Sequence, residues 1–274
     1  MKIHHLNCGT MRPLATPGGL VCHVLLVETE HGLVLVDSGL GVHDAEAPGR
    51  RFGPSRFFIR PIFDPNEAAI NQIQRLGFDP HDVRHIVLTH FDADHVGGLA
   101  DFPWAQVHLT RAEALASQHP ATQIEKQRYR APHRAHGPRL VEHDPAASES
   151  WRGFAAANEL TDIAAGIVLI SLPGHSRGHA AIAVDTGDRW VLHAGDAFYH
   201  RGQLDGTNSA PKSLTAMERL TASDWRKVRS NHQRLSHLWT AAEPDLILVN
   251  AHDPHLLDQA RQANPPSSRG GGTE

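Results

Sequence analysis

The sequence predicts an α/β fold in which two β-sheets pack face to face and helices cover their outer sides. Apolar, strand-like runs alternate with helical patterns through two halves of the chain, and no fixed repeat is evident. Side chains that suit metal ions follow the strand-like runs directly, at several separate points along the sequence. We therefore expect one domain over residues 1–262, with a site where strands end.

The composition narrows the class of protein. The chain has 274 residues, of which 40% are hydrophobic and 20% charged, so it can bury a sizeable core. Its formal net charge of −4 predicts neither a nucleic-acid partner nor a membrane partner. The two cysteines are too few for a disulfide framework, and neither a secretory signal nor a membrane-spanning run is visible. We expect a cytoplasmic protein with a small-molecule substrate; its oligomeric state, monomer or dimer, stays open.

The first half begins with a predicted hairpin. Residues 20–28 and 33–36 form two strand-like runs, joined by a short linker that ends in Gly32. Residues 48–61 mix arginines with phenylalanines, which fits either a pocket rim or a loop that packs its own aromatics. A helix is predicted next. Its markers are an N-cap, a first-turn proline, a capping-box partner and a terminating glycine: Asp64, Pro65, Glu67 and Gly77.

Residues 86–98 concentrate the chemistry of the chain. An apolar run ends there, and four side chains that can bind metals follow it: His90, Asp92, Asp94 and His95. Imidazole and carboxylate groups suit zinc, iron or manganese. Alternate residues of an extended backbone point the same way, so the first three can share one side while the last reaches a second ion. Gly97 and Gly98 remove Cβ atoms where a backbone has to pass close to the site.

The middle of the chain is less regular. A strand at 106–109 and a helix at 111–117 are predicted. Residues 126–139 are basic and contain no acid, which fits a solvated flap or a lid that attracts an anionic substrate group. Residues 142–166 are mixed and alanine-rich, so we assign about 111–166 as a cap-like insertion.

The second half repeats the pattern of strands that end in polar turns. A run at 167–172 stops at a glycine turn that carries His175, and His179 follows one turn later, where we expect it to pack or cap. Strands are predicted at 180–184 and 190–192, and the second of them leads into a Gly-Asp pair that contains Asp196.

The last elements bring one more histidine. Residues 200–222 are rich in turn formers and predict a long loop, whereas residues 224–241 have the spacing of an amphipathic helix. A strand at 245–249 delivers His252 to its carboxyl end. The tail, residues 263–274, has too few apolar side chains to fold, and we expect it to be disordered.

With these motifs the sequence resembles the metallo-β-lactamase-fold superfamily over residues 20–255. The usual motif there is His-x-His-x-Asp-His followed by a glycine or two, and here Asp92 stands where the second histidine normally stands. The resemblance implies a four-layer αβ/βα sandwich of two mixed β-sheets flanked by helices. It also implies a third histidine ligand, a bridging carboxylate, a last histidine ligand and a carboxylate that supports the metal loop: His175, Asp196, His252 and Asp37.

Grouping these residues predicts a dinuclear centre. One ion would be held by His90, Asp92 and His175, the other by Asp94, His95 and His252, and Asp196 would bridge. Such a set leaves coordination positions open, as catalytic sites do. Two cations lower the pKa of a shared water, so a bridging hydroxide can attack the carbonyl of a small ester or lactone.

Two of these side chains also have predicted catalytic roles. Asp94 can orient the hydroxide and carry a proton to the leaving group. Tyr199 resembles the tyrosine that N-acyl-homoserine lactonases of this fold use against the developing oxyanion.

The alternatives concern the metal and the reaction. Zinc is the first expectation, but the extra carboxylate at Asp92 also suits iron or manganese. A thioesterase of the glyoxalase II kind and a β-lactam hydrolase are alternative hydrolases. A diiron oxidoreductase is an alternative of another class, because flavodiiron proteins of this fold also place a carboxylate at the position of Asp92. A non-catalytic metal-binding protein is the last alternative.

Overall fold

The computed structural model describes residues 1–145, 149–207 and 209–263. The amino-terminal half forms a six-stranded sheet whose strand order follows the sequence order. Its strands are β1 (Lys2–Met11), β2 (Leu20–Thr29), β3 (Gly32–Val36), β4 (Val83–Val87), β5 (Gln106–Thr110) and β6 (Arg139–His143). The first three strands pair antiparallel, and β3 to β6 pair parallel, so the sheet is mixed.

The second half forms a five-stranded sheet with the order β13-β12-β11-β10-β9. These strands are β9 (Ala157–Glu159), β10 (Ile167–Ser171), β11 (Ala180–Asp185), β12 (Trp190–His193) and β13 (Leu246–Val249), preceded by the small hairpin of β7 (Ser150–Trp151) and β8 (Phe154–Ala155). Strands β9 to β12 pair antiparallel, whereas β12 and β13 pair parallel. This sheet is therefore mixed as well.

Ten α-helices surround the sheets in the described part of the chain. They are α1 (Val42–Glu46), α2 (Pro48–Arg51), α3 (Arg56–Ile59), α4 (Ala69–Arg75), α5 (Ala93–Val96), α6 (Arg111–Gln118), α7 (Gln123–Arg128), α8 (Lys212–Thr221), α9 (Trp225–Ala241) and α10 (Pro254–Ala263). Short 3₁₀ turns lie between them, at Gly53–Ser55, Pro65–Glu67, Pro80–Asp82, Gly97–Asp101, Ala131–His133 and Arg201–Gln203. None of the helices in the described ranges has both the length and the apolar character that crossing a bilayer requires.

The alternation of side chains along the strands divides the core into layers. Val34, Val36 and Val87 of the first sheet share one buried cluster with Leu169 and Ile182 of the second sheet. The intervening residues of the first sheet point to its other face, where they pack against α4 and α6 in a separate cluster. Two mixed sheets packed face to face with helices outside confirm the predicted fold class.

Several predicted elements are confirmed, and others differ for identifiable reasons. The hairpin of β2 and β3 and the helix α9 lie where the pattern placed them. The helix predicted after Asp64 begins later, because Asp64 caps only a 3₁₀ turn and α4 starts at Ala69. Glu67 does not close a capping box on Asp64; its carboxylate accepts hydrogen bonds from the backbone N and the hydroxyl of Thr10.

Two larger differences concern loops. The long loop predicted for 200–222 contains α8, which begins right after Pro211, so the turn formers mark only the start of this segment. The segment expected at about 111–166 as a cap-like insertion contributes to both sheets, because β6 extends the first sheet and β9 extends the second. The predicted disordered tail lies outside the described residues, apart from Ala263 at the end of α10.

Candidate metal-binding active site

Every candidate ligand lies just after a strand, at one edge of the two sheets. His90, Asp92, Asp94 and His95 follow β4, and His175, Asp196 and His252 follow β10, β12 and β13. The loop after β13 is fixed to the first sheet by the backbone N of His23, which donates to the carbonyl of Ala251 at 2.9 Å. The two sheets therefore bring residues from distant parts of the sequence to one place.

The ligand atoms of these residues form three overlapping groups. Within each group they all lie within 4.8 Å of one another: His90, Asp92 and His175; His90, His95 and Asp196; Asp94, His95 and His252. The extended alternation predicted after β4 ends at Asp92, because α5 starts at the next residue. Asp94 therefore turns away from His90 and joins the group of His95 and His252.

The carboxylate of Asp196 lies between the two outer groups. Its Oδ2 is 3.8 Å from Nε2 of His90 and 3.5 Å from Nε2 of His175. Its Oδ1 is 3.2 Å from Nε2 of His95, and Nε2 of His252 is 3.1 Å from Oδ1 and 3.2 Å from Oδ2. Oδ2 therefore faces His90 and His175, Oδ1 faces His95, and His252 lies near both oxygens, so the carboxylate sits between the two outer groups.

Orphaned polar atoms test whether these residues fit metal ions. Nε2 of His90, Oδ1 of Asp92, Nε2 of His95 and Oδ1 of Asp196 are buried without a hydrogen-bond partner. Buried polar atoms are almost always paired, so four orphans in one cluster need a shared partner. Nitrogen and carboxylate donors at these separations suit zinc, iron or manganese, and the residues fit such ions.

The second nitrogen of each imidazole is held by a neighbour, which fixes the orientation of the ring. Nδ1 of His95 lies 2.8 Å from Oδ2 of Asp37, and Nδ1 of His252 lies 2.8 Å from the carbonyl of Val21. Nδ1 of His90 is 3.0 Å from the hydroxyl of Thr89. With Nδ1 engaged, Nε2 is the nitrogen that faces the centre, as second-layer contacts of metal ligands commonly arrange.

Asp37 supports the metal loop as the resemblance implied. Besides contacting His95, it accepts hydrogen bonds from the backbone N of Thr89 at 2.8 Å and from the Thr89 hydroxyl at 2.7 Å. Its backbone has a φ of +60°, a conformation that aspartate tolerates better than most residues. This carboxylate therefore connects the end of β3 to both ends of the metal loop.

The two glycines of the metal loop also have the predicted role. A Cβ added at Gly97 would collide with the carboxylate of Asp44, and one added at Gly98 would lie 2.7 Å from the carbonyl of Ser38. The Ser38 hydroxyl in turn donates to the carbonyl of His95 at 2.8 Å. The close approach of these backbones confirms why side chains are absent at both positions.

Glu113 is a functional residue that sequence reasoning missed. Its Oε1 accepts from the backbone N of Phe91 at 2.9 Å and from the Tyr129 hydroxyl at 3.1 Å. Its Oε2 accepts from the Ser176 hydroxyl at 2.7 Å and from the backbone N of Gly178 at 3.0 Å. This buried carboxylate joins the loop of His90 to that of His175. Thr110 and Glu113 have the spacing of a capping box at the start of α6. The sequence pattern therefore predicts a local role for Glu113 and not these longer-range contacts.

Arg128 is the second residue that was not singled out, although the basic segment 126–139 was. Its Nη1 lies 3.2 Å from Oδ2 of Asp92, and its Nη2 donates to the carbonyl of Thr221. The Arg128 side chain is only 5% exposed, so the cation of this pair is shielded from water. Burial opposes ionisation of Asp92, but Arg128 and then His90 hold the pKa of this carboxyl well below its usual value. Arg128 therefore offsets the charge that Asp92 adds where a histidine is usual.

The other charges of the cluster balance each other in the absence of cations. Burial opposes ionisation of Asp196, yet His252 and His95 hold its pKa well below the usual value. Burial also disfavours the charged ring of His95, but Asp196 and Asp37 raise its pKa well above normal. Burial, together with Arg128, lowers the pKa of His175 to about 4. A divalent cation would take the place of the extra proton that His95 holds.

His179 does not join the cluster of ligand atoms. Its Nδ1 lies 3.1 Å from the carbonyl of Leu172, and its Nε2 accepts a hydrogen bond from the backbone N of Asp196 at 3.0 Å. Burial lowers its pKa well below the usual value, which suits a neutral ring that accepts at Nε2. His179 therefore packs, as expected, and fixes the start of the loop that carries Asp196.

The cluster forms the floor of a cavity of about 490 Å³. Asp92, Asp94, Asp196 and His252 line its bottom, together with Tyr199. Its walls are largely apolar and include Met11, Leu14, Leu20, Phe58, Met217 and Leu220. The Tyr199 hydroxyl lies 3.4 Å from Nδ1 of His175 and 3.2 Å from the hydroxyl of Thr221. An apolar molecule with one polar reacting group would match this cavity.

Comparison with known proteins defines the class. Residues 17–252 match the model of the metallo-beta-lactamase superfamily, and the chain belongs to that superfamily. It is a metal-dependent hydrolase with relatives among the lactonases.

Similar proteins of known sequence or structure are probable hydrolases and lactonases. A probable metallo-hydrolase of Mycobacterium tuberculosis is 53% identical over 261 residues, which cover 95% of this chain and 83% of that protein. An N-acyl homoserine lactonase of Bacillus cereus is 25% identical over 189 residues, 66% of each protein. A solved N-acyl homoserine lactone hydrolase, with its product bound at the catalytic metal centre, has a TM-score of 0.65 at 23% identity and covers 94% of this chain and 95% of its own. That likeness shows a common fold.

Proposed function

We propose that the chain is a dinuclear metal-dependent hydrolase that cleaves a small lactone or ester carrying an apolar group. The observation that carries this proposal is the position of Asp196, whose carboxylate lies between two groups of ligand atoms at the floor of an apolar cavity. The names of the lactonase relatives support the reaction class, because they describe cleavage of a cyclic ester bearing an acyl chain.

The chain's own residues divide into two ligand sets. His90, Asp92 and His175 would hold one ion, and Asp94, His95 and His252 the other, with Asp196 between them. When bound, two divalent cations would supply a water of lowered pKa and polarise the carbonyl of the substrate. Zinc is the ion we expect, because the set contains four imidazoles and because Arg128 offsets the extra charge of Asp92.

Asp94 is the residue that we expect to move a proton. Its Oδ2 lies 3.6 Å from Nε2 of His252, and the carboxylate lines the cavity where the substrate would react. A carboxylate in this position can hold a proton taken from the attacking water and pass it to the leaving oxygen.

Tyr199 is the residue that we expect to stabilise the oxygen that gains charge. Burial, followed by Asp196, raises the pKa of this phenol well above its usual value, so it stays protonated at neutral pH. If Nδ1 of His175 donates to the phenol oxygen, the hydroxyl hydrogen of Tyr199 is free for Thr221 or for the substrate. A neutral donor at the floor of a largely apolar cavity is suited to an oxyanion.

The residues around the cavity indicate the chemical character of the substrate. No cationic side chain other than Arg128, which is engaged by Asp92 and Thr221, lies against the floor residues within the described ranges. A neutral, apolar substituent therefore fits better than the anionic group that a basic lid would attract.

The experiment is a substrate panel with matched metal controls. Full-length protein is stripped with a chelator, reconstituted with zinc, iron(II) or manganese, and assayed on lactones of increasing alkyl length, an aryl ester, an acyl thioester and a β-lactam. We expect turnover of the lactones to rise with alkyl length and to vanish in the stripped protein and in Asp196→Ala. Turnover confined to the thioester or the β-lactam would replace the proposed substrate, and none at all would refute the proposal.

A further inference from the structure

The mouth of the cavity is surrounded by apolar side chains that face the solvent. Leu14, Phe58 and Leu220 line the cavity, yet they are 69%, 73% and 76% exposed. Phe57 lies beside Phe58 in α3 and is 65% exposed, and Ile62, just after this helix, is 45% exposed. Exposed apolar side chains are common singly, but a group of this size around one opening marks an interaction surface.

The chain segments that carry these residues are also basic. Residues 10–20, 48–63 and 210–221 contain one acidic side chain, Glu218. It is buried, and its oxygens lie 2.8 Å from Nε2 of His232 and 2.5 Å from Nε2 of Gln203. The cations of these segments that are not buried are Arg12, Arg50, Arg56, Arg60, Lys212 and Arg219. In the described part of the chain, no acidic side chain forms an ion pair with any of these six.

These segments form one face of the molecule. Met11 bridges to Pro61, and the backbone N of Arg12 donates to the carbonyl of Arg60 at 3.1 Å. The Ser213 hydroxyl at the start of α8 donates to the carbonyl of Ala15 at 2.5 Å. The basic and apolar side chains therefore lie together, and we call this face, formed by residues 10–20, 48–63 and 210–221, the basic rim.

We propose that the basic rim binds an anionic lipid surface. Exposed aromatic and aliphatic groups beside unpaired cations are the combination that interfacial membrane contacts use, with the apolar groups entering the headgroup region and the cations meeting lipid phosphates. The net charge of −4 argued against a membrane partner, but it averages over the whole surface and hides the rim.

A second copy of the chain is the competing occupant. A two-fold dimer would place the same patch on both subunits, so the six cations of one rim would face the six of the other, and neither rim has an exposed acid of its own. The charge of the rim therefore favours an anionic partner over self-association. This inference goes beyond the proposed function, because lipid binding requires neither metal nor turnover.

The mouth of the cavity lies within the basic rim, so lipid binding would affect how a substrate reaches the cavity. The cavity opens among Leu14, Phe58 and Leu220, so its mouth would face the lipid layer. An apolar molecule dissolved in that layer could then enter the cavity without crossing water.

Vesicle co-sedimentation of the full-length chain tests the proposal. The probes are vesicles of mixed phosphatidylglycerol and phosphatidylcholine, and vesicles of phosphatidylcholine alone. We expect binding to the anionic vesicles, weakening as salt is raised, and little binding to the neutral ones.

A matched pair of double variants locates the binding surface. Arg60→Gln with Ile62→Ser removes one cation and one aliphatic group from the rim, and should weaken binding more than about fivefold, since each juxtamembrane cation contributes about that factor. Arg111→Gln with Leu115→Ser makes the same change on α6, outside the residues of the rim, where Leu115 is 46% exposed. This control should bind like the parent protein.

Three results would overturn the proposal. One is equal binding, or none, to the two kinds of vesicle. Another is the same loss of binding in the α6 control as in the rim variant. The third is a dimer, detected by analytical ultracentrifugation, that the rim variant dissociates while the parent fails to bind vesicles. Thermal melts of both variants establish that each is folded, so a loss of binding can be assigned to the surface.

Discussion

Replacing Arg128 with methionine should destabilise the metal-free protein and increase its affinity for metal ions. The guanidinium lies 3.2 Å from Asp92, with side-chain exposures of 5% and 18% for the pair. At an effective dielectric constant of about 20, this separation corresponds to about 5 kcal/mol of attraction. Breaking a buried pair on one side typically costs about 3–5 kcal/mol, because the remaining charge stays buried.

A double-mutant cycle isolates this interaction. Asp92→His restores the histidine that is usual at this position, but leaves the Arg128 cation without its carboxylate. The double variant, Asp92→His with Arg128→Met, removes both charges together. We expect each single variant to lose about 3 kcal/mol and the double variant to lose much less, which gives a large coupling free energy.

The assay is urea unfolding of chelator-treated protein, repeated after zinc is added. Metal should reverse most of the loss in Arg128→Met, because the freed carboxylate of Asp92 becomes a stronger ligand. Additive losses in the cycle, or a loss in Arg128→Met that zinc does not diminish, would refute charge compensation at Asp92.

Four further predictions concern other parts of the structure. Glu113→Gln places an amide among four donors and should cost about 2–4 kcal/mol in urea unfolding of metal-free protein; an unchanged midpoint would contradict the bridging role. Gly178→Ala should cost about 3 kcal/mol, because the new Cβ would fall on the backbone N of Glu113, and a thermal melt equal to that of the parent would argue against this contact. Burial raises the pKa of Asp101 to about 6 from 3.8, so the folded state binds the extra proton and the unfolding free energy should fall as pH rises between these values. Asp101→Asn should remove this dependence and be more stable above pH 6 by about 3 kcal/mol; parallel pH profiles would show that the carboxyl is not the cause. Tyr199→Phe should lower kcat by about tenfold or more with KM little changed in steady-state kinetics, and a change in KM alone would assign the phenol to binding.

Much of the candidate site is local in sequence and could be predicted. His90 to His95 follow a single strand, and the histidines and aspartate of the second half each follow a strand that has a clear apolar pattern. The fold class brings the ends of these strands to one edge of the two sheets. Residues that directly follow the strands can therefore be expected to lie close together. That Asp94 joins His95 rather than His90 was not predictable from alternation, because it depends on where α5 begins.

The supporting contacts could not be predicted, because they join residues that are far apart in sequence. Arg128 reaches Asp92 across 36 positions, and nothing in the basic segment 126–139 distinguishes it from its exposed neighbours. Glu113 has an ordinary capping spacing and yet holds two loops together. In the fold, β1 was not anticipated, since its histidines and asparagine interrupt the apolar alternation that marks a strand.

The most direct test of the account is the metal content of the reconstituted protein, measured by elemental analysis beside protein concentration. A dinuclear centre predicts about two divalent ions per chain, and a loss of both tight sites in Asp196→Ala because this carboxylate lies between the two groups. One ion or none per chain in the parent protein, or a metal content that Asp196→Ala leaves unchanged, would contradict it.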